Sequence, residues 1–266
     1  MDKTAESLHS QFAVHMNPKM RSLVPPPELL LDGPESGDLF VQSGPAFLHN
    51  VLVPRLMLKP TGAVLDIGCG MGAHARALSE FLTPIGKYCG LDVTARAIQW
   101  CKENYVEFKN FQFDWANVRS DWYNPQSSIE PEHYRFPYLE DTFDVTFAIS
   151  LFTHIQPPAA RNYLAEVCRI LKPGGRLWLT CFLMPDHESV RHASCVQGRE
   201  FTRASPLHHV IDPESPSRGV AYDERGLRRM LSEAGLVLAE SAFGRWASEI
   251  DVLGLYQDAI LGVKPL

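Results

Sequence analysis

The chain has 266 residues, a formal charge of −6 and a hydrophobic fraction of 45%, which fits one large domain or two small ones and excludes a disordered or fibrous protein. Acids outnumber bases, 31 to 25, with no run of lysine or arginine, so nucleic acid is not expected as a partner. No stretch approaches the roughly twenty apolar residues of a membrane span, and the start, Met1-Asp2-Lys3-Thr4-Ala5-Glu6, lacks the apolar core of a secretory signal. These features predict a cytoplasmic protein. The cysteines Cys69, Cys89, Cys101, Cys168, Cys181 and Cys195 never form a close pair at metal-ligand spacing, so buried free thiols are expected.

Residues 1–47 carry no strand rhythm and are broken by Pro25-Pro26-Pro27 and Gly33-Pro34; they read as an N-terminal cap of short helices, with 48–266 as the main domain. A helix is predicted over 46–58, kinked or ended at Pro54. From residue 63 the pattern alternates: strand 63–67, helix 74–82, strand 88–92, helix 95–108 with Thr94 placed to cap it, and strand 111–114. Alternation of this kind argues a parallel sheet. A polar and aromatic segment follows at 119–142, holding Trp122, Tyr123, Tyr134 and Tyr138. Strand 143–150, helix 159–171, a stop at Lys172-Pro173-Gly174-Gly175 and strand 176–182 come next. A second irregular segment spans 183–219 and, leaving a strand's C-terminal end, is placed to reach over a ligand. Helix 223–234 and strands near 236–239 and 257–263 complete the chain, the last two joined without a helical crossover and so antiparallel.

The chemistry is concentrated in Val64-Leu65-Asp66-Ile67-Gly68-Cys69-Gly70-Met71-Gly72, followed about twenty residues later by Gly90-Leu91-Asp92. A strand, a tight glycine turn, a helix and a second strand ending in an acid hold an adenosine-containing cofactor in doubly wound sheets. Gly68 and Gly70 let the backbone approach the ligand, Gly72 allows close packing of helix on strand, and Asp92 can accept from both ribose hydroxyls.

With the 143–155 stretch containing Phe152-Thr153-His154 and with Lys172-Pro173-Gly174-Gly175, these pieces resemble the class I S-adenosylmethionine-dependent methyltransferases over residues 48–264. A narrower similarity, through Phe152-Thr153-His154 and Gln257-Asp258, is to small-molecule methyltransferases that often accompany glycan or natural-product biosynthesis. The resemblance implies a Rossmann-like, mostly parallel seven-stranded α/β sheet with a C-terminal antiparallel hairpin, S-adenosyl-L-methionine as cofactor, and O-methylation of a sugar or secondary metabolite. It carries cofactor binding to Asp66, Gly68, Cys69, Gly70, Asp92, Val93, Asn117, Val118 and Ser150. Asp66 would hold the cationic amino group. Asn117 would accept from the adenine amine through its carbonyl, with Asp114 as the alternative.

His154 is the candidate base, because a neutral imidazole takes a hydroxyl proton near physiological pH as the methyl group is transferred in line. Capping of the next helix is its structural alternative. His187, His192, His208 and His209 lie in the second irregular segment with Asp186 and Glu188, but without the helical spacing of zinc enzymes; no metal is expected, and acceptor recognition is an alternative use. Two other functions stay open. Gly68-x-Gly70-x-x-Ala73 also satisfies a loose NAD(P)-dependent oxidoreductase fingerprint, against which stand Asp66 inside the motif, the lack of a catalytic Tyr-x-x-x-Lys pairing and the terminal hairpin. A non-catalytic cofactor-binding regulator would keep the same glycines and Asp92.

Overall fold

A computed structural model describes residues 23–30, 36–184, 200–246 and 255–266. Helix α1 (Gly37–Phe47) starts where the Ser36 side chain accepts the Leu39 N–H, a cap that satisfies one orphan donor of the first turn. The chain continues through a wider turn at Leu48–Leu52, closed by the Val53 N–H on Leu48 O. The helix expected over 46–58 therefore begins nine residues earlier and ends before Pro54, since Ser36 and Asp38 supply a stronger start than the apolar run alone. Gly44 brings α1 onto the following helix so closely that a Cβ there would lie 2.5 Å from Ala73 O. Phe47, at the expected edge of the cap, packs in the same apolar cluster as Leu78 and Phe147.

The central sheet alternates as predicted: β1 (Ala63–Ile67), α2 (Ala73–Phe81), β2 (Lys87–Asp92), α3 (Ala95–Asn104), β3 (Phe111–Trp115), β4 (Phe143–Ala148), α4 (Pro157–Ile170) and β5 (Leu171–Met184). Strands pair in the order β3-β2-β1-β4-β5, all parallel. All five residues of β1 are buried, as a strand covered on both faces requires. Val64 faces the cluster formed with α1, α2 and α3, while Leu65 faces the one formed with α4 and a later helix. The Lys172-Pro173-Gly174-Gly175 stretch, expected to stop a helix, is a bulge at the start of β5: Leu171 opposes Phe143 and Arg176 opposes Val145.

Beyond β5 the sheet branches. The first part of β5 pairs antiparallel with β10 (Asp258–Val263), which carries β9 (Val237–Ala242) on its far side. Phe182, Leu183 and Met184 instead take β8 (Val220–Asp223), which continues to β7 (His208–Val210) and β6 (Thr202–Ser205). The expected hairpin is present, but among the described residues the sheet has ten strands rather than seven. Of the additional three, β6 and β7 come from the stretch expected to be irregular and β8 from the residues just after it. Helix α5 (Glu224–Glu233) follows, its first turn capped by the Asp223 carboxylate on the Gly226 N–H. Among the described residues no helix is long and apolar enough to cross a membrane.

Candidate functional site

The order reversal between β2-β1 and β4-β5 opens a crevice at the C-terminal edge of the sheet, where open α/β sheets bind ligands. A cavity of about 750 Å³ occupies it, within the range of small-molecule sites. After β1 the chain turns through Gly68, Gly70 and Gly72, all at positive φ. The Gly68 N–H donates to Leu91 O at 2.7 Å and the Gly70 N–H to Asp92 Oδ2 at 2.8 Å. A Cβ at Gly70 would meet nothing within 4 Å. Backbone there faces open space in the cavity wall.

Asp92 ends β2 with Oδ1 accepting the Thr94 N–H at 2.7 Å. Burial pushes its carboxyl up, opposed by N–H donation from Thr94 and Gly70 and by the Thr94 hydroxyl. Thr94 thus stands at the N-cap of α3 without capping it; its hydroxyl serves Asp92 instead. With three donors accepted, the Asp92 oxygens keep a lone pair for one further donor.

A family model described as a methyltransferase domain matches residues 64–175. The sterol 24-C-methyltransferase erg6 of Schizosaccharomyces pombe is 31% identical over 150 residues, covering 56% of this chain and 35% of that protein. The first of these likenesses falls on the glycine turn and on β1 to β4, and both are to methyltransferases. Phthiotriol/phenolphthiotriol dimycocerosates methyltransferase 1 of Mycobacterium ulcerans is 29% identical over 191 residues, 70% of this chain and 61% of that one. The chain thus spans between about a third and three fifths of these curated relatives. Among solved structures, the PH0226 protein of Pyrococcus horikoshii superposes with a TM-score of 0.56 at 16% identity, covering 94% of this chain and all of that one. The Burkholderia thailandensis 1,6-didemethyltoxoflavin-N1-methyltransferase, solved with S-adenosylhomocysteine, gives 0.52 at 15%, covering 85% and 79%.

For S-adenosylmethionine, the cofactor that the sequence resemblance implies, the site has donors and room: an open glycine backbone, a carboxylate with a spare lone pair, and apolar walls at Val93, Ala116 and Val118. Of the residues predicted to bind it, Gly68, Gly70, Asp92, Val93, Val118 and Ser150 line the cavity, whereas Asp66, Cys69 and Asn117 do not. Asp66 is buried behind the loop, where Oδ2 accepts the Tyr88 hydroxyl at 2.9 Å and lies 3.7 Å from His74 Nδ1. Burial, and then the Asp66 charge, hold the Tyr88 phenol far above its ordinary range, so it remains a donor. Cys69 is a core thiol pushed up by burial. Asn117 is exposed and its side-chain oxygen accepts from Asn124 at 3.1 Å; the alternative, Asp114, accepts from Tyr138 and Gln112. Neither residue lines the cavity.

His154 lines the cavity. Its Nδ1 lies 2.9 Å from Ser217 O, and since a carbonyl only accepts, Nδ1 carries the proton and the neutral ring keeps its lone pair on Nε2. No partner for Nε2 occurs among the described residues. Ser217 also donates through Oγ to Asp121 at 3.1 Å, and Tyr123 meets the imidazole edge-on. Both long segments therefore converge on this ring. The 119–142 segment supplies the wall from Arg119 to Tyr123 and from Glu130 to Glu132, and the later one supplies Ser217, Arg218 and Gly219. Phe152 is core, against Tyr222.

His208 and His209 stand on β7, both pushed down by burial, with His208 Nδ1 2.8 Å from the Ser205 hydroxyl; His187, His192 and Cys195 lie outside the described residues. A Tyr-x-x-x-Lys spacing does occur, at Tyr105 and Lys109, but the Tyr105 hydroxyl is buried on Gly72 O and the Lys109 ammonium donates to Val106 O. It has no access to the cavity. Sequence reasoning missed Ser217, which acts through its carbonyl and so leaves no side-chain signal.

Proposed function

We propose that this chain catalyses methyl transfer to a hydroxyl oxygen of a small molecule, a sugar or glycan precursor or a secondary metabolite. The supporting observation is His154: a cavity-lining imidazole whose tautomer is fixed by the Ser217 carbonyl, leaving Nε2 as a proton acceptor. When bound, S-adenosylmethionine supplies a methyl group made electrophilic by its sulfonium. Gly68, Gly70 and Asp92 would hold the cofactor, Asp92 at its ribose. His154 Nε2 takes the acceptor's hydroxyl proton as the new C–O bond forms, so that the oxygen does not build up positive charge. Arg119, Tyr123, Ser217 and Arg218 wall off the reacting centre from water.

A carbon acceptor is the second reading. It draws on the sterol relative, whose name places transfer on carbon, and on the apolar wall of Leu29, Met71, Ile155 and Phe182. The test is methyl transfer from labelled S-adenosylmethionine to phenols, free sugars and nucleotide-linked sugars. Formation of a methyl ether, slowed about 100-fold or more in His154→Ala with unchanged S-adenosylhomocysteine affinity, is the expected result. Label on carbon or nitrogen alone, or full activity of the variant, would refute this assignment.

A further inference from the structure

At the end of β4 the chain turns at Ser150, a non-glycine residue held at φ 58°, a conformation that persists only where surrounding contacts over-determine it. Three contacts do so. The Ser150 N–H donates to Thr180 Oγ1 at 2.8 Å, the Ser150 hydroxyl donates to Gln257 Oε1 at 3.2 Å, and the Thr180 hydroxyl donates to the same Oε1 at 2.5 Å. A separation of 2.5 Å suits O–H···O and is too short for N–H···O, so the carbonyl end of the Gln257 amide faces the two hydroxyls. With two protons accepted, Oε1 is saturated. Nε2 keeps both its N–H donors and has no partner among the described residues.

The next residue fixes the backbone beneath this amide. Asp258, fully buried, accepts from the Leu183 N–H, the Gly244 N–H and the Trp246 indole at 2.7 to 2.8 Å. Gln257 and Ser150 line the same cavity as His154, and one turn joins the two sides: Ser150 O accepts the Thr153 hydroxyl and Leu151 O accepts the His154 N–H.

We infer that the Gln257 carboxamide is a specificity-determining donor, hydrogen-bonding through Nε2 to an oxygen of the methyl acceptor. The inference rests on the methyltransferase reading above and deepens it by naming the atom type the acceptor presents. An immobilised amide donor welcomes an oxygen lone pair at no reorganisation cost. An aryl amine at the same place, its nitrogen lone pair delocalised into the ring, presents N–H groups and sets donor against donor.

The experiment compares wild type, Gln257→Glu and Gln257→Leu. The Glu variant keeps an oxygen for Ser150 and Thr180 but replaces the N–H donors with a second carboxylate oxygen; the Leu variant removes both. Acceptor KM and kcat are measured on paired phenols and anilines and on free and nucleotide-linked sugars, with S-adenosylhomocysteine affinity by calorimetry and the thermal midpoint alongside. The expected result is preference for the oxygen member of each pair and a rise of about tenfold or more in its KM in both variants, with cofactor affinity within twofold. A KM unchanged in Gln257→Glu would overturn the inference. So would a tenfold loss of S-adenosylhomocysteine affinity, which would put the donor on the cofactor, or preference of wild type for the amine member. Absence of transfer to every probe by a wild type that still binds S-adenosylhomocysteine would fail the methyltransferase reading and this inference with it.

Discussion

The C-terminal ends of β1 to β3 offer the cavity backbone and a single carboxylate, Gly68, Gly70 and Asp92, whereas the turn after β4, β10 and the loop before β8 reach it through side chains and one carbonyl: Gln257, braced by Thr180 on β5, and His154 with Ser217 O. The first region presents an open glycine turn suited to one invariant ligand. The second is assembled from three parts of the chain far apart in sequence and is the one whose side chains can change with the acceptor. On the proposed function, the division separates holding the cofactor from choosing what is methylated, and substitutions on the two sides should fail in different assays.

The largest expected effect falls on the second region. His154→Ala should lower kcat by about 100-fold or more while leaving S-adenosylhomocysteine binding intact, as steady-state kinetics and calorimetry would show; equal losses in both would merge the two regions. Next is Gly90→Ala on β2, whose Cβ would lie 2.8 Å from Cys69 Sγ and 2.9 Å from Phe113. Overpacking of this kind costs about 1–3 kcal/mol, readable as a lower denaturant midpoint. Gly70→Ala has no such clash. It should cost only about 1 kcal/mol of backbone strain yet weaken S-adenosylhomocysteine by about tenfold, because the methyl group enters space the ligand needs; unchanged affinity would remove the glycine turn from the cofactor site.

The smallest effect lies under the 119–142 wall. Burial alone would raise the Glu166 carboxyl, but hydrogen bonds from Arg169 and the Phe136 N–H bring it below its ordinary value. A carboxyl lowered in the folded state contributes stability that is fully present above its unfolded pKa and is lost as pH falls through the folded one. Glu166→Gln should therefore lose about 1 kcal/mol at neutral pH. It should also flatten the acid limb of the stability curve in unfolding titrations below about pH 4.5.

How much could be read in advance follows the same division. The β1–β3 region announces itself locally: apolar runs of strand length, glycines at fixed offsets and an acid at a strand end all act within a few residues of one another. Asp66 is the exception, since the motif does not reveal that Tyr88 and His74 claim its carboxylate. Asn117 is another, because its oxygen is taken by Asn124 from an irregular loop. In the second region the determining contacts are long-range. Strands β6 to β8 are three or four residues each, too short and too rich in His, Ser and Arg to show a period of two. Gln257 was visible only as half of a Gln-Asp pair; its role comes from Ser150 and Thr180 on two other strands. The start of α1 is set by the Ser36 cap, which lies outside the apolar run of 46–58.

The most direct test of the account is calorimetric titration of the wild-type protein and of Asp92→Ala with S-adenosylhomocysteine, with NAD as a control. Micromolar binding by the wild type, weakened about tenfold or more in the variant by loss of the carboxylate that would accept a ribose hydroxyl, is the predicted result. Equal affinity in the two proteins, or binding of NAD alone, would contradict it.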